Sequence, residues 1–239
     1  MPLPLSPLEW ASLAYLVVLW AGYARYARYR ACQQDGKPSL SRSLRRHREA
    51  WARRLLEREM RMTDAGLLAS QERVVGFFAS TTLLLLAAVL TALTTSGQIA
   101  ELTSHIPFTQ AQSSAQIEAK LALLLLILIY AFFKVTWSLR QYGFAAVVMG
   151  AAPDAGEQLS PQQCEAFACN LAKLMDSAGH DNNSGLRAYY FCLSVVCWLS
   201  GTIPFLIAAT LTVSVLYFRE FRSATVMSIQ RSYVVPPES

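Results

Sequence analysis

One charge stands inside an apolar run. Lys134 follows thirteen apolar residues, 121–133, which at 1.5 Å per residue places it about 20 Å along a helix. An ammonium there either snorkels to an interface on its flexible stem or meets an acid facing the protein interior or a solute path. Glu72 and then Asp64 are the acids that could meet it, and Arg140 and Arg187 carry further charge beside apolar runs. The other chemistry-bearing residues are dispersed. Cys32, Cys164, Cys169, Cys192 and Cys197 form no Cys-x-x-Cys pair, and His47, His105 and His180 have no carboxylate at metal-ligand spacing. His180 could act as an acid or base, but no nucleophile is spaced beside it. No catalysis, metal or cofactor is expected.

The elements that must position these charges are helices in a membrane. Hydrophobic residues make up 54% of the 239-residue chain and charged residues 15%, where a soluble domain carries roughly 25% charged. Mean hydropathy is +0.30, more apolar surface than one globular core of this length hides. A first span is expected over 7–25, opened by a capping box in which Ser6 is the N-cap, Pro7 the first helical residue and Glu9 the third. It carries no Lys or Arg before Arg25, so it reads as an anchor and not as a cleaved signal. Beyond it Tyr23, Tyr26 and Tyr29 interleave with Arg25, Arg28 and Arg30, a pattern suited to a headgroup layer. A second span is expected over 67–96, and a third over 114–140 behind a second capping box at Ser113.

The last apolar stretch, within 186–218, is too long for one straight span. Residues 188–218 as a single helix would measure about 46 Å against a hydrocarbon core of about 30 Å. Gly201 and Pro204 lie near its middle, so either one kinked helix or a hairpin fits. Charge favours the hairpin. Residues 25–73 hold 13 Lys or Arg against 6 Asp or Glu, whereas 97–119 hold two Glu and no Lys or Arg. The positive-inside rule then places the N-terminus outside and residues 25–75 in the cytoplasm of a bacterial inner (plasma) membrane. A hairpin returns Arg219 and Arg222 to that same side.

Two further helices are expected on the cytoplasmic face. Residues 39–64 carry an apolar seam of Leu40, Leu44, Trp51, Leu55 and Met62 at helical spacing. Arg45, Glu49, Arg53, Glu57 and Arg61 alternate in sign at intervals of four. Arg42, Arg46, Arg48, Arg54 and Arg58 are then surplus, a charge excess that suits anionic lipid headgroups and, with no aromatic platform, does not suggest nucleic acid. Asp64 and Gly66 should bend the chain before the second span. Residues 161–178 form the other amphipathic helix, capped by Ser160 and ended by Gly179, with 180–185 a polar turn. In the second span Gly76, Ser80, Ala87, Thr91 and Thr95 share one face, a stripe that serves close helix packing or, less commonly, a pore lining.

Several stretches resemble a known family. Trp51 with 58–64, then Phe77-Phe78-Ala79-Ser80-Thr81-Thr82, Phe133-Lys134-Val135-Thr136-Trp137 with 138–142, 185–191 and 216–223 resemble the domain of unknown function 599, a bacterial and plant family of multipass membrane proteins. The resemblance implies an integral membrane protein with no known reaction. It makes Asp64, Lys134, Arg140 and Arg187 motif members. The expected fold is all-α: an integral membrane helical bundle with three transmembrane helices, a C-terminal hairpin or long kinked helix, and two cytoplasmic amphipathic helices. The expected function is a non-catalytic scaffold or accessory subunit acting through helix contacts, in a homo-oligomer or with other membrane subunits. A homo-oligomeric channel or small-solute transporter is the alternative.

Overall fold

The computed structural model describes residues 6–32, 39–104, 112–154, 156–157 and 159–233. Among them the chain is helical and contains no strand: α1 Pro7–Cys32, α2 Leu40–Leu56, α3 Met62–Thr94, α4 Ser96–Ser104, α5 Ser114–Gly150, α6 Pro161–Trp198, α7 Thr202–Phe221 and α8 Ala224–Arg231. Three stretches are long and apolar enough to cross a membrane: Met62–Thr94, Ser114–Gly150 and Thr202–Arg231. α1 covers the expected first span but is not among them, because Glu9, Ser12 and its Trp and Tyr residues dilute its hydropathy.

Local chemistry starts the helices. The Ser6 backbone N–H donates to Glu9 Oε2 at 2.9 Å while the Glu9 N–H donates to Ser6 Oγ at 3.3 Å. The same reciprocal pair joins Ser113 to Gln116 and Ser160 to Gln163. Each box satisfies two of the donors a helix start leaves open.

The helix ends differ from expectation in three places. The break before α3 falls at 57–61 and not at 63–66, so Asp64 and Gly66 lie inside α3. Asp64 is drawn into the helix by bonds from Trp51 and Arg58, and a Cβ on Gly66 would meet nothing within 4 Å. α5 continues to Gly150, well past Arg140, because Gln141, Tyr142, Ala145 and Met149 supply a buried stripe. α6 runs unbroken through Gly179 and the expected turn at 180–185. Gly179 there leaves room for a neighbour: a Cβ would stand 2.5 Å from Arg48 Nη2.

The chain divides into two compact units, Met1–Tyr29 with Ser80–Phe133 and Gly185–Tyr217, and Arg30–Ala79 with Lys134–Ser184 and Phe218–Ser239. The first is built on an aromatic core, with Trp20 stacked on Phe191 (4.8 Å between centroids) and Trp198 on Phe205 (4.6 Å). It also contains the hairpin. Gly201 at φ +141° makes the turn, a conformation that favours glycine, and α7 returns beside α6 with Thr212 Oγ1 3.0 Å from Ser194 Oγ. The second unit packs Leu55, Leu68, Val135, Leu171 and Met175. In it α7 and α8 are clasped to α2: the Ser41 hydroxyl and backbone N–H, in the first turn of α2, donate to Glu220 Oε1, and the His47 ring bonds the Ile229 carbonyl near the C-terminus of α8 at 2.8 Å. A carboxylate at one helix start and an imidazole at another helix end both complement the backbone dipoles.

Candidate functional site: buried and half-buried charges

The acid that meets Lys134 is Asp181. Lys134 Nζ donates to Asp181 Oδ1 at 2.7 Å and Gln141 Nε2 donates to Asp181 Oδ2 at 3.0 Å. One helical turn along, Ser138 Oγ donates to the Ala178 carbonyl at 2.7 Å. Lys134, Ser138 and Gln141 are spaced by four and three residues, so α5 presents all three from one face. The side chains are 34% exposed for Lys134 and 12% for Asp181. The expected partners are occupied elsewhere. Glu72 lies against Gly143, whose Cβ would be 4.0 Å from Glu72 Oε1. Asp64, fully buried, accepts from Trp51 Nε1 at 2.6 Å and from Arg58 Nη1. Asp181 escapes a reading by sequence because it stands in a run of poor helix formers that looks like a turn. It faces α5 only once α6 continues through that run.

The arginine surplus of α2 is smaller than the sequence suggests. Arg45 keeps its partner Glu49 one turn on, at 3.1 Å. Arg48 leaves the helix for Asp176 at 2.7 Å, Arg53 forms a fork with Glu165 at 2.8 and 2.9 Å, and Arg58 reaches Asp64. Arg61 donates to the Ala152 and Pro153 carbonyls. So the ladder of alternating signs is replaced beyond Glu49 by bonds to other elements, which use the fork geometry of guanidinium. The Arg53 hydrogen bonds hold the Glu165 carboxyl below the ordinary carboxylate range, and Glu165 raises Arg53. Arg46, its guanidinium 6.0 Å from the Tyr233 ring, and Arg54 remain exposed. The apolar seam holds at Leu55, which is buried, while Met62 is exposed at the start of α3.

In the other unit a charge pair appears that the sequence does not advertise. Lys120 Nζ stands 2.8 Å from Glu9 Oε1, with the side chains 2% and 7% exposed. The ammonium also donates to Gln112 Oε1 at 2.6 Å and lies 5.3 Å from the Trp198 ring centroid. Gln116 Nε2 donates to the second Glu9 oxygen at 3.0 Å. The one hint is position: Lys120 directly precedes the third apolar run, and Glu9 opens the first helix. Arg187 lies over the Tyr23 ring at 5.3 Å, and Arg140 in the second unit over Phe144 at 5.7 Å, where both rings serve as cation partners.

On α3 the buried residues Leu68, Val75, Thr82 and Val89 recur every seven positions. Thr82 Oγ1 bonds the Tyr189 hydroxyl. The stripe of Gly76, Ser80, Ala87, Thr91 and Thr95 lies on other faces. Ser80, Ala87 and Thr91 are exposed, and a Cβ on Gly76 would meet nothing within 4 Å.

A family model described as "Protein of unknown function, DUF599" matches residues 11–225. The chain belongs to the DUF599 family. No curated protein and no solved structure matches it. With its three long apolar helical stretches, this DUF599 chain is an all-α membrane protein. The matched region contains Asp64, Glu72, Lys120, Lys134, Arg140, Asp181 and Arg187, so both internal Lys residues fall within the DUF599 segment. The free thiols among the described side chains are Cys164, Cys169, Cys192 and Cys197. His105 lies outside the described residues.

Proposed function

We propose that this DUF599 protein is a non-catalytic membrane subunit that acts through helix contacts, either with further copies of itself or with other membrane chains. The observation that carries this reading is the outer face of α3. Its small and hydroxyl-bearing residues are exposed, although α3 buries a regular seam elsewhere on its circumference. Small side chains let backbones approach closely in lipid. The hydroxyls favour packing over a pore: Thr91 donates to the Ala87 carbonyl at 3.0 Å, Thr94 to Thr91 at 2.7 Å, and Thr95 to Thr91 at 3.3 Å. Donors spent on their own helix are poor at hydrating a channel wall.

The location that accompanies this reading is a bacterial inner membrane, with the N-terminus outside and residues 25–75 in the cytoplasm. Anionic headgroups would meet the exposed Arg25, Arg28, Arg46 and Arg54. Cysteine cross-linking in native membranes tests the contact. In a chain otherwise free of cysteine, Ala87→Cys and Thr91→Cys should cross-link to a second copy or to another membrane chain, while the buried Val89→Cys should not. Failure of every outward α3 position to cross-link, with uniform labelling by a lipid-soluble reagent, would reject it. Cysteines at Gln112 and in 33–38 report orientation: only the former should label from outside.

A further inference from the structure

We propose that Asp181 and the side-chain oxygen of Gln141 form a site for a small monovalent inorganic cation, held by the Lys134 ammonium when no such ion is bound. The argument starts from an imbalance of donors and acceptors. An ionised carboxylate offers about four lone-pair positions, and Asp181 has one oxygen on Lys134 and the other on Gln141 Nε2. Gln141 is only 7% exposed, yet its Oε1 receives no hydrogen bond. Both heteroatoms of that carboxamide hang from one carbon, so the unmet oxygen sits beside the carboxylate its own nitrogen binds. Asn182, next along α6, likewise has a buried Oδ1 without a donor. Natural proteins rarely leave buried acceptors unmet. A group rich in carboxylate and amide oxygens and poor in donors is the ordinary ligand set of a hard cation.

The pair is also built for exchange. Lys134 is one-third exposed, and its stem is flexible enough to carry the ammonium back to solvent. A monovalent ion replacing it leaves Asp181 neutralised, so no charge is stranded in the interior. An arginine fork with both oxygens bound would not give way so readily. Lys120 shows the contrast, with its ammonium enclosed by Glu9, Gln112 and the Trp198 ring.

The test is thermal unfolding of the purified full-length protein in detergent, in NaCl, KCl or LiCl against choline chloride at equal ionic strength. Removing the competing ammonium is the diagnostic step. Lys134→Gln should be stabilised by at least one small cation relative to choline, at concentrations about tenfold lower than the wild type needs. Asp181→Asn in that background should abolish the response, and Gln141→Leu, which leaves both charges in place, should weaken it. Equal melting of Lys134→Gln in all four salts would overturn the site and leave an ordered water as the occupant. A cation response that survives both Asp181→Asn and Gln141→Leu would overturn it too, by placing the ion elsewhere.

Discussion

Two lysines of this chain each pair with one acid, and they are finished differently. Lys120 and Glu9 are both enclosed, and each has further partners: Gln112 on the ammonium, Ser6 and Gln116 on the carboxylate. Lys134 and Asp181 make an equally short contact, but the ammonium is partly exposed and Gln141 beside them keeps an acceptor unmet. A buried charge pair costs desolvation that only complete bonding offsets. The closed pair therefore fastens its unit together, and the open one can respond to solutes.

The largest effect should come from breaking the closed pair. Lys120→Met leaves Glu9 as an enclosed, uncompensated carboxylate and should cost about 3–5 kcal/mol in unfolding free energy. Adding Glu9→Gln should return much of the loss, measured by unfolding in detergent; a double mutant no better than Lys120→Met would mean that the pair is not coupled. Lys134→Met should cost less, about 1–3 kcal/mol, because Asp181 retains Gln141. A double-mutant cycle should give a coupling of at least ~0.5 kcal/mol between Lys134 and Asp181, and near zero between Lys134 and Glu72. The reverse ordering would restore Glu72 as the partner.

Smaller still is a pair of glycines. Gly66→Ala lies in a helix with open space at its Cβ and should stabilise by about 0.5–1 kcal/mol. Gly179→Ala gains the same helix propensity but pushes on the Arg48 guanidinium, so its net gain should be visibly smaller; Arg48→Ala should make the two substitutions equivalent. The smallest effect is electrostatic. Glu165 titrates lower folded than unfolded because of Arg53, so its contribution is complete above the ordinary carboxylate range and is lost as pH falls through the lowered value. Both side chains are well exposed, which keeps the effect small. Arg53→Gln should flatten the acid side of the stability–pH profile slightly, and an unchanged profile would remove the fork from the account.

What the sequence discloses follows the range of each interaction. Capping boxes at Ser6, Ser113 and Ser160 are legible because both partners lie within one turn. The α6–α7 hairpin is legible too, since Gly201 and excess length mark it independently. Asp181 is not, because its role depends on α6 holding helical geometry through Gly179 and Gly185 against local preference. Only bonds from α5 and the space taken by Arg48 account for that. Likewise Arg48, Arg53 and Arg58 look like a solvated surplus until helices far off in the chain supply their acids. Lys120 is legible only as a charge at the edge of an apolar run. Its partner lies more than a hundred residues earlier.

The seven-residue recurrence of Leu68, Val75, Thr82 and Val89 also sets a phase for α3. Adding one residue between Val75 and Thr82 would rotate everything after it by about 100°. Thr82 would leave Tyr189, and the small residues would swing from the outside toward the core. Adding seven would restore the phase almost completely, at the cost of about 10 Å of extra length. The spacing along this helix thus behaves as a reading frame, in which a single inserted residue does more harm than most substitutions.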